Sequence, residues 1–402
     1  MGKRVLANIE PALLRWARES AHVSIEAAAK SIRTTPERVE DWEEGRSQPT
    51  VKQLRRLGRK YRRPLAVFYL PEPPQGFDAL HDYRRLPGQV ARLQSPQLAY
   101  EIRRAHSRRL IALDLCEALG VRPPDLTLRA SLDEDPEQVS GRIRDTLSIA
   151  IEDQFGWEQG SDSFRHWRAA FERAGILVFE VTRVDIHEMR GFSVAQRPLP
   201  AVVVNPKDSF SARIFTLAHE LTHVALQTNS LCDTMLLESP DVPPAEREVE
   251  RFCNRVAAAT LVPTDSLLTQ DIVRSCTEPE QWTDEDIRHL GRRYGVSRQV
   301  ILLRLLRLGR TTQSFCDAKC AQFREEFEDS ERRKKKSRGG PSPANLALYT
   351  SGHLFVDLVL TSYHEQRITV SDVADSLGLR LKHLPKLESQ LTQDRAALGG
   401  AF

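Results

Sequence analysis

Residues 214–226, Ile-Phe-Thr-Leu-Ala-His-Glu-Leu-Thr-His-Val-Ala-Leu, constrain this chain more than any other stretch. Apolar side chains recur at Ile214, Leu217, Ala218, Leu221, Val224 and Ala225, the i, i+3, i+4 spacing of a buried helical face, and neither Gly nor Pro interrupts them. His219 and His223 lie four residues apart, so both imidazoles leave the same side of a helix and can reach one ion. Glu220 projects beside them, where it could hold and deprotonate an attacking water. The H-E-x-x-H spacing is that of a zinc site, and two histidines leave such a site one protein ligand short. The rest of the chain must supply it.

After His223 the helix should end near residues 227–229, and a loop with Pro240, Pro243 and Pro244 follows. Residues 245–262 read as a second helix that Pro263 terminates, with Glu250, Asn254, Ala257 and Ala258 on one face. Glu250 can be the third ligand. Asn254, one turn on, can hydrogen-bond a ligating imidazole from behind. The alanines leave room for the first helix to approach closely. Glu246 and Glu248 are the alternatives; Glu248 points to a different face and Glu246 lacks such a partner. Two histidines and a glutamate leave the fourth position of one Zn2+ for water, as in a catalytic site. For the oxyanion, His187, His166 and Tyr294 are the candidates.

A chain of 402 residues, 40% hydrophobic and 28% charged, should hold two or three domains with ample core. The net charge of only +3 means that any affinity for nucleic acid must come from local patches. The amino-terminal residues have no signal-type apolar run, and no stretch is long enough to span a bilayer. The six cysteines are Cys116, Cys232, Cys253, Cys276, Cys316 and Cys320; they are scattered without framework spacing, so a reduced, cytoplasmic protein is expected. Cys232, nine residues past His223, sits on a presumptive loop (230–233) that could fold back and place a thiolate in the open metal position. Cys253 is expected to pack under the second helix, and Cys316 and Cys320 to share a helical face.

Residues 9–70 read as an all-helical module. Pro11 opens a helix through Arg18, Ser24 caps a second, Thr35-Pro36 starts a third through Trp42, Gly45 stops it, and Thr50 precedes a fourth with Leu54, Leu57 and Tyr61 inward. Helices two and three make a helix-turn-helix. Helix three carries five acids against one Arg, which phosphates would repel. Basic residues cluster later, at Lys52, Arg55, Arg56, Arg59, Lys60, Arg62 and Arg63. A second arginine-rich helical pattern covers 83–109. From about residue 140, helices at 143–149 and 163–174 precede strands at 176–181 and 201–205; an exposed edge of that sheet would let an extended peptide add beside the metal. Residues 283–309 scan as helix, Gly turn and capped helix; the second helix bears Arg298, Arg304 and Arg307 but is mainly core. A charged helix and linker occupy 311–345, and 346–402 form a small helical tail ending at 381–385.

Two resemblances follow from these residues. Trp42-Glu43-Glu44-Gly45 followed by Pro49-Thr50 resembles the XRE/Cro-type repressor fold. The stretch around Val203 to Asn205, the segment 213–223 and the pattern from Glu250 through Asn254 to Pro263 together resemble the ImmA/IrrE family of metallo-endopeptidases. That resemblance implies a zinc-dependent gluzincin-like core with His219, His223 and Glu250 as ligands and Glu220 as base. It also implies a protein substrate, a DNA-binding helix-turn-helix repressor cut in response to stress, DNA damage or phage. Single- or double-stranded DNA is a further expected partner, through Arg55, Arg56, Arg59, Arg62 and Arg298; no membrane is involved, and a homodimer is compatible with the sequence. The expected fold is multidomain and mainly α: a helix-turn-helix bundle (1–72), a helical scaffold (73–139), an α+β zinc-peptidase core with a small sheet (140–310), a charged linker (311–345) and a helical tail (346–402). The competing reading is a DNA-binding transcription regulator, antitoxin-like, that keeps a peptidase-shaped domain for sensing. The intact set His219, Glu220, His223 and Glu250 argues against it.

Overall fold

A computed structural model describes residues 5–73, 95–228, 230–333 without 233–242, and 340–398, with backbone alone for 230–232 and 327–333. The chain divides into two compact units, Met1–His106 and Ser107–Phe402. The fold is mainly helical, with one small sheet. No helix among the described residues is long and apolar enough to cross a membrane.

In the first unit, α1 (Pro11–Glu19), α2 (Ile25–Ile32), α3 (Pro36–Glu43) and α4 (Val51–Tyr61) enclose Leu14, Ala28, Val39, Trp42, Leu54, Leu57 and Tyr61. The boundaries follow local chemistry. Ser24 accepts the Ala27 amide, and Thr50 and Gln53 form a reciprocal capping box. Pro36 opens α3, although the Thr35 side chain makes no cap bond. One of the five acids expected on α3 turns inward: Glu43 accepts from Arg18 Nε and Nη2, both at 2.8 Å. Leu98, Ala99 and Ile102 of α5 (Pro96–Leu119) are also buried.

The second unit is built on a four-stranded sheet in the order β1-β3-β2-β4, from β1 (Leu177–Glu180), β2 (Gly191–Val194), β3 (Ala201–Val204) and β4 (Ser230–Cys232). β1 runs parallel to β3; β2 is antiparallel to both β3 and β4. The loop expected at 230–233 is therefore a strand over its first three residues, and it occupies the edge of β2 that faces away from β3. Segment 191–194, read only as a connection, is β2 itself. Its opening Gly gave too short a run to stand out.

Every residue of β1, β2 and β3 is buried. On one face Val178, Val202 and Val204 join a core with Leu217 and Leu221 of α9. That helix (Phe210–Ala225) follows α6 (Pro136–Leu147), α7 (Ile151–Gly156) and α8 (Ser161–Arg173). On the other face Phe179 meets Phe355 edge-on at 6.1 Å. Burial on both faces explains why these strands read as unbroken apolar runs.

Past β4 come α10 (Pro244–Leu261), α11 (Thr264–Leu268), α12 (Asp271–Ser275), α13 (Asp284–Tyr294), α14 (Arg298–Arg307) and α15 (Gln313–Arg333). The tail contributes α16 (Pro343–Ser351), α17 (His353–His364), α18 (Val370–Leu377) and α19 (Leu384–Ala397). It does not end at 381–385: Pro385 stands in the first turn of α19 and starts that helix instead of closing the tail. Likewise Asp135-Pro136, read as a boundary, caps α6 and opens it seven residues before the expected start at 143.

The tail is fixed to the core by buried charge. Arg108 donates to the Thr350 carbonyl and to Ser351 Oγ (2.8 Å), and Arg168 Nη2 donates to the carbonyls of Val178 and Tyr349, both at 2.9 Å. His353 donates its amide to Glu172 Oε1 (2.9 Å), and its Nε2 lies 3.0 Å from Asp394 Oδ2. Gly352 (φ +82°) makes this approach possible, because a Cβ there would fall 2.5 Å from the Val178 carbonyl oxygen.

Candidate metal centre

α9 begins where Ser209 accepts the Ala212 amide, and its apolar stripe sinks it under the sheet. Arg213 in its first turns pairs with Glu180 of β1, and its guanidinium lies 3.8 Å from the centre of the Phe164 ring. Burial lowers the Arg213 pKa against the pull of Glu180. The helix is thereby set against the strands before it reaches His219, Glu220 and His223, all three buried.

α10 packs alongside with Ala257 and Ala258 in the shared core, which lets Glu250 reach the histidines. His219 Nε2 lies 3.2 Å from Glu250 Oε2, His223 Nε2 3.3 Å from Glu250 Oε1, and the two Nε2 atoms 3.1 Å apart. Ligand atoms about 2.0–2.1 Å from one tetrahedral zinc lie roughly 3.3 Å from each other, so the donor spacing fits. The chemistry fits as well. His219 Nδ1 is 3.0 Å from Asn254 Oδ1, and His223 Nδ1 is 3.2 Å from Thr228 Oγ1. The amide oxygen can only accept, so His219 carries its proton on Nδ1 and turns the Nε2 lone pair toward Glu250. Among the described residues His219, His223 and Glu250 are the one group of His, Cys, Asp or Glu able to hold a metal ion.

The electrostatics are those of a cation site. Burial alone would raise the Glu250 carboxyl, yet the neighbouring imidazoles of His219 and His223 hold it well below the ordinary range. Burial alone would lower His223, but Cys253 and Glu250 beside it raise it. The Glu250 side chain is 18% exposed against 1% for His219 and 3% for His223, so the site reaches solvent on the Glu250 side.

Two neighbours of the site escaped the sequence reading. Cys253 lies beside His223 and helps raise its pKa, where packing alone was expected of it; its signal was the i+3 spacing from Glu250. Gly191 of β2 lies against α9: a Cβ there would be 2.3 Å from Thr216 Cγ2, 3.0 Å from the Val203 carbonyl oxygen and 3.5 Å from Glu220 Oε1. No sequence pattern marks that approach.

The alternatives for the third ligand lie elsewhere: Glu248 is exposed, and Glu246 is outside the cluster. Two of the three oxyanion candidates are engaged with other groups. Tyr294 bonds Ser266 Oγ (2.8 Å) and meets Phe155 edge-on, His166 stacks on Trp157 at 4.9 Å, and His187 is exposed on a loop. Cys232 pairs with Gly191 through the backbone; its side chain lies outside the described residues. Cys316 and Cys320 share a face of α15, Cys316 buried. Of the arginines proposed for nucleic acid, Arg55, Arg56 and Arg59 are exposed. Arg62 lies 4.0 Å from the centre of the Tyr100 ring, while Arg298 is paired with Glu326 at 2.7 Å and covers Phe323 at 3.8 Å. Arg304 is buried, bonded to Glu137 and to the Val262 carbonyl.

Comparison with known families matches residues 171–306 to a peptidase family described as the IrrE N-terminal-like domain, and residues 14–68 to the helix-turn-helix family. No curated protein and no solved structure matches the chain. The first matched stretch contains His219, His223 and Glu250, and the second contains most of α1 and all of α2 to α4. The chain thus joins an N-terminal helix-turn-helix domain to an IrrE N-terminal-like peptidase domain, the architecture of ImmA/IrrE proteins.

Proposed function

We propose that this protein is a zinc-dependent endopeptidase whose substrate is a DNA-binding helix-turn-helix repressor. The observation that carries the reading is the convergence of His219, His223 and Glu250, with Glu220 in the same helical turn as His219. Two nitrogens and one carboxylate suit zinc over calcium or magnesium. Bound zinc supplies Lewis acidity, which makes a water acidic near neutral pH and polarises the scissile carbonyl. Glu220 takes the proton of the attacking water and delivers it to the leaving amine. Asn254 and Thr228 keep the imidazole rings from turning. The repressor as substrate, and stress, DNA damage or phage as the trigger, follow from the family resemblance and the appended helix-turn-helix.

The test is incubation of the zinc-loaded chain with a helix-turn-helix repressor encoded beside it, with and without single-stranded DNA. We expect cleavage that Glu220→Gln abolishes while bound zinc, read by metal analysis, is unchanged. His219→Ala, His223→Ala and Glu250→Ala should each lose zinc. Turnover retained by Glu220→Gln would sink the mechanism, and no cleavage under any condition would favour a regulator.

A further inference from the structure

In the first unit the charge of the helix-turn-helix is inverted relative to what reading a major groove requires. α3, the helix that would enter the groove, exposes Glu37, Glu40 and Glu44 with Asp41 half-buried, against Arg38 alone on the helix itself; Arg46 beyond it is spent on Asp41 and Glu44. α4 is the opposite. Lys52, Arg55, Arg56, Arg59 and Lys60 are all exposed, and Leu54, Leu57, Gly58 and Tyr61 are all buried. At about 100° per residue the five cations fall within roughly 140° of the helix circumference and span about 12 Å of its length. α4 contains no acid, and none of the five cations pairs with a carboxylate among the described residues.

We propose that this domain holds double-stranded DNA through α4, along the phosphodiester backbone and without reading sequence, while α3 stays out of the groove. A 12 Å length of duplex carries roughly seven phosphates over its two strands, more negative charge than the five cations bring. Base readout needs donors and acceptors inside the groove, and α3 would bring carboxylates past two walls of phosphate to get there. Duplex is favoured over single strand because α4 exposes no aromatic side chain on which unpaired bases could stack. This inference stands apart from the peptidase reading, since its site and its assay involve neither zinc nor cleavage.

The experiment is fluorescence anisotropy of the full-length chain with two unrelated 20-base-pair duplexes, titrated between 50 and 200 mM salt. At about 0.9 counterion per phosphate contact, five contacts give a slope near −4.5 in log K against log salt, a loss of roughly 500-fold over that range. Arg55→Ala/Arg56→Ala/Arg59→Ala should flatten the slope by about 2.7, so that the same salt change costs only ~10-fold. Both duplexes should bind within about twofold of each other, and Glu37→Gln/Glu40→Gln should strengthen both alike. The thermal transition and the far-ultraviolet circular dichroism report whether the triple variant is folded; if it is not, each single Arg→Ala variant should flatten the slope by about 0.9. The proposal is overturned by an unchanged slope, by preference for one sequence that Arg38→Ala removes, by tighter binding of a single strand, or by an acidic protein being bound and no duplex.

Discussion

Replacing Asn254 by alanine asks whether the group behind the metal ligand matters as much as the geometry says. The substitution removes the acceptor 3.0 Å from His219 Nδ1 and touches no ligating atom. His219 is only 1% exposed, so its ring N–H would lose a partner where bulk water does not reach. A buried donor deprived of its acceptor costs about 1–3 kcal/mol. Asn254 itself is half-buried, which lets water recover part of the loss, so the lower part of that range applies, about 1–2 kcal/mol. At 1.36 kcal/mol per decade this is roughly 5- to 30-fold weaker zinc binding, in line with the 10- to 100-fold typical of groups behind a metal ligand. Competition against a chromophoric chelator measures it. Asn254→Asp keeps an oxygen acceptor and adds charge, so it should bind zinc at least as tightly as the parent. The reasoning is refuted if Asn254→Ala retains the parent affinity, or if Asn254→Asp weakens zinc as much as alanine does.

Two further outcomes follow from the packing. Gly191→Ala drives a methyl to 2.3 Å from Thr216 Cγ2, an overpacking of about 1–3 kcal/mol, and should lower Tm by several degrees. Adding Thr216→Ser removes the clashing methyl and should restore part of the loss; no recovery would mean that the clash is not the cause. His353 contributes a pH dependence. Burial opposes its charge, but hydrogen bonds to Asp394 and Glu172 raise its pKa overall, while His353 in turn helps hold Asp394 low against its own burial. A raised histidine stabilises fully below its unfolded value of about 6.5, and that stability is lost as pH rises through the folded value. A depressed aspartate stabilises above about 3.9 and loses this as pH falls through its folded value. The Tm difference between the parent and His353→Gln should therefore be largest between about pH 4 and 6.5 and shrink at higher pH; a difference that is flat with pH contradicts the pairing.

The metal cluster was legible because helical periodicity converts sequence spacing into direction. His219 and His223 at i, i+4, and Glu250 and Asn254 at i, i+4, each name a face, and two faces lined with small residues can meet. The capped helices of the first unit were legible for the same reason, through Ser24, Thr50 and Pro36. The sheet was only half readable. β2 and β4 are four and three residues long, and strands that short carry no period of their own. Long-range chemistry was not readable at all. Arg168, Arg108 and His353 look like ordinary surface residues in sequence, yet they are buried and fix the tail to the core over separations of more than 150 residues. The oxyanion group was not readable in sequence, because a residue type names a chemistry without naming a place.

Under the proposed peptidase function, the pairing of β4 with β2 would turn substrate entry by strand addition into a contest between two strands for one set of hydrogen bonds. Gly191 opposes Cys232 in the ladder, and a Cβ on it would stand 3.5 Å from Glu220 Oε1, so this part of β2 lies beside Glu220. A peptide that adds directly to the edge of β2 must evict residues 230–232. The evicted strand stays tethered, since it begins only five residues after α9 ends, and a short tether holds a competitor at an effective concentration in the millimolar range. A peptide bound through β2 alone would need to outcompete that local concentration, so a loosely extended chain gains little there. Whatever weakens the three-residue pairing lowers that threshold without touching a metal ligand.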